Sequence, residues 1–156
     1  MDIKDMFQID LISTDLVVET KEEIFEIVGN ELQGKGFVNN EYVRGLIRRE
    51  KEFPTGLITK YLNIALPHSD TEYVNKPFIY VVRLKGKSLT FKQMGDNQKL
   101  QVKDLFFLGI KDASKQVHLL SYLMDLFSNE DFITEYNGTT NKIEVYEIIN
   151  KYIQRD

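Results

Sequence analysis

The fold is decided by the stretch Phe78-Ile79-Tyr80-Val81-Val82-Arg83-Leu84, which lies between Pro77 and Gly86. β-branched and aromatic residues fill this stretch, and turn-forming residues bound it on both sides, a pattern typical of a β-strand. Residues 61–66 form a second apolar run before it, and residues 100–110 form a third after it. The middle of the chain therefore predicts a β-sheet.

Two weaker segments complete the predicted strands. Residues 8–12 indicate a short first strand or an extended entry. Leu89, Phe91 and Gln93 are spaced in near alternation within residues 88–94, which predicts an edge strand followed by a turn at residues 95–97. We therefore expect four or five strands.

Helical patterns lie on both sides of the strands. Thr20-x-x-Glu23 is a capping box, and the apolar spacing behind it predicts a helix over about residues 21–34. A second helix is predicted over about residues 40–51, ended by Pro54 and Gly56. Further helices are predicted over about residues 114–127, 130–136 and 141–153. Together these elements predict an α/β sandwich with a mixed four- or five-stranded sheet flanked by helices.

Composition places the chain in a narrow class. Its 156 residues, 42% of them hydrophobic, suit a single domain over residues 1–156. No apolar run approaches the roughly 18 residues of a membrane span, and the first residues lack the pattern of a signal peptide, so we expect a cytoplasmic protein. Because the chain has no cysteine, disulfides, thiolate metal sites and cysteine nucleophiles are excluded.

The charge distribution argues against nucleic-acid binding. The net charge is −4, and the 24 acidic and 20 basic residues are mixed along the chain, without the concentrated basic face that nucleic acid requires. One local exception is a basic cluster of Arg44, Arg48, Arg49 and Lys51. Such a cluster is either a solvated helix face or part of a site.

His68 is the first candidate for chemistry. It follows Pro67 at the end of a short apolar run, and proline biases Leu66 toward an extended backbone, so the chain is expected to leave a strand at Leu66 and turn at His68. A neutral imidazole offers a lone pair near pH 7 and can accept and then donate a phosphoryl group. The alternative is an ordinary surface histidine in a loop.

Three short motifs around His68 carry a family resemblance. Arg49-Glu50, Thr55-Gly56 and Ala65-Leu66-Pro67-His68 resemble the active-site signature of enzyme IIA of the fructose/mannitol class, phosphocarrier domains of the bacterial sugar phosphotransferase system. The resemblance covers nearly the whole chain. Ser69 stands where many members have glycine, and residues 52–60 are longer than in the mannitol type. Downstream, residues 76–77, 90–95, 102–112 and 123–127 look more like the galactitol-type branch than the mannitol, fructose or nitrogen-regulatory branches.

The resemblance implies roles for the site residues. His68 would be the phosphorylated nucleophile, and His118, at the start of a helix, would lie beside it in a supporting role. Arg49 would clamp the phosphoryl group, since a guanidinium can bond two of its oxygens at once. The Thr55 hydroxyl would orient His68 or bond a phosphoryl oxygen. Asp70 would help orient His68 or be a loop acid, and Glu50 would pair with Arg49 or cap backbone amides.

The resemblance also implies partners and a relay. The carrier protein HPr would give its phosphoryl group to His68, which would pass it to a cysteine of a IIB component, with the membrane IIC component involved only indirectly. No metal or organic cofactor is required. A docking rim is expected at Leu57, Ile58, Tyr61 and Leu66, although Leu66 also fits the core.

Two other functions stay open from the sequence. A regulatory homologue would accept phosphate on His68 and use its phosphorylation state to control a partner. An interaction module, or a small hydrolase using His68, His118 and Asp70, is a different class of answer. A metal-dependent hydrolase would need more ligands than two histidines and one nearby acid.

Overall fold

The computed structural model describes residues 2–153, which build a five-stranded mixed sheet with helices on both faces and a separate two-stranded hairpin. The predicted α/β sandwich is confirmed. The strands are β1 (Phe7–Ser13), β2 (Gly56–Ile58), β3 (Asn63–Ala65), β4 (Phe78–Arg83), β5 (Leu89–Lys92), β6 (Lys99–Val102) and β7 (Asp104–Gly109). The helices are α1 (Ile3–Met6), α2 (Lys21–Gly34), α3 (Tyr42–Glu52), α4 (Gln116–Phe127), α5 (Glu130–Asn137) and α6 (Lys142–Ile153).

The sheet has the strand order β1-β4-β7-β3-β2. Its centre is the antiparallel pair β4 and β7, in register from Phe78 opposite Gly109 to Arg83 opposite Asp104. β1 is parallel to β4 and β3 is parallel to β7, whereas β2 runs antiparallel to β3 at the edge. β3 and β7 therefore run toward the end of the sheet at which β4 begins, and β3 ends at Ala65, opposite Leu105 near the start of β7.

Each face of the sheet has its own hydrophobic core. One face is covered by α2, α3 and the β5–β6 hairpin, with Phe25, Tyr42 and Phe91 among its fully buried rings. The other face is covered by α1, α4, α5 and α6, and its centre includes Phe106 and Phe127, whose ring centroids lie 4.9 Å apart. Successive residues of β7 contribute to the two cores in turn, which is why its whole length is buried.

The helix predictions agree closely with the structure. α2 begins as the capping box predicts, because the Thr20 hydroxyl accepts the Glu23 N–H at 3.1 Å. The Glu23 carboxylate accepts a backbone N–H as well, but that of Glu19, one residue before the helix cap. In the described part of the chain, no helix is long and apolar enough to cross a membrane.

The strand predictions need three corrections. The run 100–110 is two strands that separate at Lys103, since residues 99–102 alternate between exposed and buried whereas residues 104–109 are all buried. The predicted edge strand 88–94 is β5, which pairs with β6 in a separate hairpin. β2, which begins at the predicted helix terminator Gly56, was not predicted.

Gly56 is in fact part of the sheet. A Cβ atom at Gly56 would lie 2.6 Å from the carbonyl oxygen of Lys92, so a side chain there would push the hairpin away. The Gly56 carbonyl accepts the Met94 N–H at 2.7 Å, which holds the end of the hairpin against β2. The glycine therefore serves a close backbone approach as well as the end of α3.

A buried polar cluster ties the sheet to α5 at the end remote from His68. The Arg83 Nε–H donates to Asp104 Oδ1 at 2.9 Å, and the Tyr136 hydroxyl donates to the same oxygen at 2.9 Å. Arg83 Nη1 also donates to the Tyr136 carbonyl and to the Thr139 hydroxyl. Asp104 and Tyr136 are almost fully buried, and burial raises the pKa of the Asp104 carboxyl.

Candidate active site

His68 lies three residues beyond the end of β3, where the chain is still extended beside β7. The Pro67 carbonyl accepts the Leu108 N–H at 2.9 Å, and His68 pairs with Leu108 in an isolated parallel bridge. Residues paired across strands project to the same face, and Leu108 packs into the core beneath α4. The chain therefore presents His68 on the α4 side of the sheet, beyond the end of β3 and beside the carboxyl end of β7.

One hydrogen bond fixes the state of the imidazole. His68 Nδ1 lies 2.7 Å from the Leu66 carbonyl oxygen, and because a carbonyl only accepts, Nδ1 carries the proton. The neutral ring then has its lone pair on Nε2. Burial lowers the pKa of His68 below its ordinary value of 6.5, and the positive charge of Arg49 lowers it further, whereas the Leu66 bond and Asp70 act to raise it. The arrangement favours a neutral, nucleophilic imidazole.

Asp70 links the histidine loop to α3 through two arginines. Its Oδ2 lies 3.0 Å from Arg48 Nη2, and its Oδ1 lies 3.4 Å from Arg49 Nη1. Arg48 also donates to the Tyr73 hydroxyl at 3.3 Å. The sequence predicted Arg49 as a site residue but placed Arg48 only in the basic cluster. Arg48 therefore contacts the site through Asp70, and the sequence did not predict this contact.

The Arg49 guanidinium has a hydrogen-bond donor that no described residue uses. The guanidinium lies over the Phe53 ring, with the central carbon 4.8 Å from the ring centroid, and the side chain is 31% exposed. The Nε–H of Arg49 is buried and has no hydrogen-bond partner within residues 2–153. A buried donor without a partner is costly, so an anion that accepts from this guanidinium would be favoured.

Glu50 and Thr55 form a buried pair behind the site. Glu50 Oε2 accepts the Thr55 N–H and Oε1 accepts the Thr55 hydroxyl, both at 2.8 Å, and the two residues are 6% and 3% exposed. Of the two roles predicted for Glu50, the structure has the capping of a backbone amide. Since the only hydroxyl proton of Thr55 is given to Glu50, Thr55 has none left for a phosphoryl oxygen in this arrangement.

His118 is the third residue of α4 and is exposed. It borders a cavity of about 180 Å³, together with the apolar side chains of Met6 and Leu119 and the cationic Lys111 and Lys115. α4 covers the face of the sheet on which His68 lies, and the cavity also contacts Gly109, next to the residue that His68 pairs with. Both histidines thus lie at one end of one face, with no hydrogen bond joining them among the residues described.

Gly45 is a further residue that sequence reasoning missed. A Cβ atom there would lie 2.8 Å from the Tyr73 ring and 3.2 Å from Ser69 Cβ. The glycine therefore lets α3 pack directly on the loop of residues 69–73, which brings Arg48 and Arg49 to Asp70. A glycine in the middle of an otherwise regular amphipathic helix is the signal that would have indicated this approach.

The site thus combines a nucleophilic imidazole, a guanidinium with a free donor and a carboxylate bridge, a set suited to handling a phosphoryl group. A sequence model of the family described as "Phosphoenolpyruvate-dependent sugar phosphotransferase system, EIIA 2" matches residues 5–152. The chain belongs to this family. The resemblance that the motifs of Arg49 to His68 indicated is therefore confirmed, and with it a role in a sugar phosphotransferase system.

Similarity to an individual EIIA protein indicates which branch of the family the chain resembles. The galactitol-specific EIIA component of Escherichia coli strain K12 is 30% identical over 133 residues, which are 85% of this chain and 87% of that relative. The similarity to the galactitol-type branch is confirmed.

Solved EIIA structures share the fold. The enzyme IIA of the Escherichia coli mannitol system, in complex with phosphorylated enzyme IIB, has a TM-score of 0.74 at 22% identity, covering 93% of this chain and 97% of that one. The nitrogen regulatory protein IIA-Ntr of Neisseria meningitidis also has a TM-score of 0.74, at 23% identity, covering 94% and 98%. The fold is therefore common to an EIIA of a mannitol system and to a nitrogen regulatory EIIA.

Proposed function

We propose that this EIIA protein is a phosphocarrier that accepts a phosphoryl group from phospho-HPr on His68 and passes it to a cysteine of a IIB component. The observation that carries the proposal is the bond from His68 Nδ1 to the Leu66 carbonyl, which leaves Nε2 as the nucleophilic atom of a ring whose pKa burial and the charge of Arg49 lower. The similarity to a galactitol-specific EIIA favours uptake of galactitol or a related sugar alcohol over a purely regulatory role.

The first transfer exchanges one P–N bond for another. The Nε2 lone pair of His68 attacks phosphorus while the P–N bond of the donor's phosphohistidine breaks, and its electron pair returns to the donor imidazole. His68 keeps its Nδ1 proton, so the phosphorylated ring bears positive charge, which the Leu66 carbonyl stabilises. Arg49 binds the oxygens of the phosphoryl group in flight, where its negative charge is spread.

The second transfer requires a different polypeptide or a separate domain, because this chain has no cysteine. A thiolate of the IIB component attacks phosphorus, the P–N bond to His68 breaks, and its electron pair returns to Nε2. The solved complex of the mannitol IIA with phosphorylated IIB supports a IIB component as partner. The sugar and the membrane IIC component would meet only the IIB stage, and we place the relay in the cytoplasm, where phosphoenolpyruvate is made.

An exposed apolar rim suits the weak, transient docking that a carrier needs. Ile58 is 49% exposed at the sheet edge, Phe53 is 57% exposed against Arg49, and Val117 is 78% exposed beside His118. Leu66, one of the residues expected in the rim, is buried in the core. Leu57 and Tyr61 are half-buried, so we assign the rim mainly to Phe53, Ile58 and Val117.

The direct test is to incubate the protein with phosphoenolpyruvate, enzyme I and HPr, and to locate acid-labile phosphate by intact mass and peptide mapping. We expect one phosphoryl group on His68, which a matching IIB component removes. A protein that stays unlabelled while HPr is phosphorylated would contradict the proposal. Label that IIB cannot discharge, but whose presence changes binding to a regulator, would support the regulatory alternative.

Arg49→Ala is expected to slow phosphoryl acceptance by about 100-fold, because one charge-stabilising donor is lost. Arg49 also lowers the pKa of His68, so its removal raises that pKa. The rate falls on acidification as His68 is protonated, at a pH below 6.5 in the wild type, and this fall should move to higher pH in the variant. Rates of labelling across the range in which His68 titrates measure both effects.

Arg44→Ala is the matched control for Arg49→Ala. Arg44 lies on the same helix and its side chain is 81% exposed. Within residues 2–153 its one ion pair is with Glu41, at 3.6 Å. Its loss is expected to leave both the rate and the pH profile unchanged. Equal profiles for Arg49→Ala and Arg44→Ala would remove Arg49 from the site.

Asp70→Asn is expected to act on His68 in the opposite direction. The carboxylate raises the pKa of His68, so its neutralisation lowers that pKa and moves the acid fall in rate to lower pH. It also releases Arg49 from a competing anion, which should favour the phosphorylated form about fivefold at equilibrium with phospho-HPr. Glu72→Gln, an exposed acid two residues further on, is the control. A shift to higher pH would refute this role of Asp70.

A further inference from the structure

A continuous series of hydrogen bonds joins the buried carboxylate of Glu50 to the imidazole of His68. Glu50 accepts the Thr55 N–H and hydroxyl at 2.8 Å each. The Thr55 carbonyl accepts the Leu66 N–H at 3.2 Å, and the Leu66 carbonyl accepts the Nδ1 proton of His68 at 2.7 Å. The same two residues, Thr55 and Leu66, therefore stand between the end of α3 and the nucleophile.

We propose that Glu50 is a positioning residue for His68, which holds the Leu66 carbonyl where it selects the Nδ1–H tautomer and keeps Nε2 free for phosphorus. This inference rests on the proposed function of His68 as phosphoryl acceptor. Glu50 does not touch the reacting atoms; it acts through Thr55 and Leu66.

The edge of the sheet depends on this anchor. β2 has only three residues and pairs with β3 in register from Gly56 opposite Ala65 to Ile58 opposite Asn63. The bond from the Leu66 N–H to the Thr55 carbonyl extends that ladder by one step toward His68. Short edge strands have few bonds of their own, so the two bonds from Thr55 to the buried Glu50 fix where this last step lies.

The coupling is positional and not carried by charge. At Thr55 and again at Leu66, the N–H and the C=O belong to different peptide groups, so no single conjugated unit links the carboxylate to the ring. Glu50 is also absent from the charges that shift the pKa of His68, which are those of Arg49 and Asp70. Loss of the anchor should therefore change the orientation and tautomer of the ring more than its charge.

The test uses Glu50→Gln and Thr55→Val on the whole chain. In Glu50→Gln the amide oxygen can accept the Thr55 N–H, but the NH2 group can only donate to the Thr55 hydroxyl oxygen, so both bonds to a charged carboxylate are lost. Valine removes the hydroxyl while keeping the shape of threonine. The matched control is Thr59→Val, in the hairpin that β2 and β3 form. Thr59 is buried and its hydroxyl donates to the Leu62 carbonyl, at the end of the hairpin remote from His68.

Two readouts separate positioning from a general loss of structure. The first is the ¹⁵N spectrum of the His68 imidazole in the unphosphorylated protein, which distinguishes the two tautomers. The second is the rate of phosphoryl acceptance from phospho-HPr. We expect one tautomer in the wild type, a mixture in Glu50→Gln and Thr55→Val, and a rate about tenfold lower in both. Thr59→Val should keep the wild-type spectrum and rate.

Conservative replacement completes the test. Thr55→Ser keeps both donors to Glu50 and should return the single-tautomer spectrum that Thr55→Val loses. The proposal is overturned if folded Glu50→Gln or Thr55→Val keeps one tautomer and the wild-type rate. It is also overturned if Thr59→Val has the same effect, or if Thr55→Ser shows the mixture. Circular dichroism first establishes that each variant is folded. Glu50→Gln, which keeps the size and shape of the side chain, still tests the proposal if Thr55→Val does not fold.

This design keeps the failure of the positioning role distinct from failure of the proposed function. The imidazole spectrum is recorded without HPr or phosphate, so it reports on Glu50 whether or not His68 is phosphorylated. Absence of label on wild-type His68 would refute the carrier function alone. An unchanged spectrum in the variants of a protein that is labelled on His68 would refute the positioning role alone.

Discussion

His68→Asn is expected to take up no phosphoryl group from phospho-HPr while keeping the wild-type fold. Asparagine has no nitrogen lone pair with the nucleophilicity of imidazole, so the attacking atom is lost outright. His68 is only half-buried, and in the part of the chain that the structure describes its ring makes one hydrogen bond, so few stabilising contacts disappear with it. Intact mass after incubation with phosphoenolpyruvate, enzyme I and HPr measures the loss.

His118→Asn is the companion variant to His68→Asn. Because His118 lies at the same end of the same face but makes no bond to His68, its loss should slow labelling without abolishing it. Label at wild-type yield in His68→Asn would place the acceptor elsewhere. Complete loss of label in His118→Asn alone would reverse the assignment of the two histidines.

Arg83→Met is expected to lower the free energy of unfolding by about 3 kcal/mol, the largest effect that we expect away from the site. Arg83 is the ion-pair partner of Asp104. Without it, the Tyr136 hydroxyl is the one side-chain donor left to this nearly buried carboxylate among the described residues. The Tyr136 carbonyl also loses the Arg83 donor. Urea unfolding followed by circular dichroism measures the change.

Lys87→Met is the control for Arg83→Met. Lys87 pairs with Glu19 at 3.0 Å, but the two side chains are 72% and 65% exposed. Exposed pairs contribute little, so the change should stay below about 1 kcal/mol. Equal losses in the two variants would show that the buried cluster has no special weight.

The sequence predicted the helices well because their signals are local. A capping box, an apolar spacing and a terminating glycine or proline act within a few residues of the helix end, as at Thr20 and Glu23. The strands were harder to predict, because their boundaries depend on partners. Residues 100–110 are one apolar run in the sequence, yet Leu100 pairs with Phe91 in the hairpin whereas Leu108 lies in the main sheet.

Some residues of the site were likewise predictable from the sequence, and others were not. His68 and Arg49 were predicted from motifs close to each other in the sequence. The contact of Arg48 with Asp70 was not, since it depends on how closely α3 packs on the loop at Gly45. The Thr55 hydroxyl was predicted to orient His68 or to bond a phosphoryl oxygen, but it donates its proton to the buried Glu50, an arrangement that depends on tertiary packing.

The Arg83–Asp104 pair and His68 lie near opposite ends of β7. Asp104 begins this strand, and His68 pairs with Leu108, four residues later. That separation is about 13 Å along the strand. Residues on the surface around His68 can therefore change without disturbing the buried cluster of Arg83 and Asp104. We therefore expect that exchanging Phe53, Ile58 and Val117 for the corresponding residues of another carrier would change which partner protein binds without unfolding the domain.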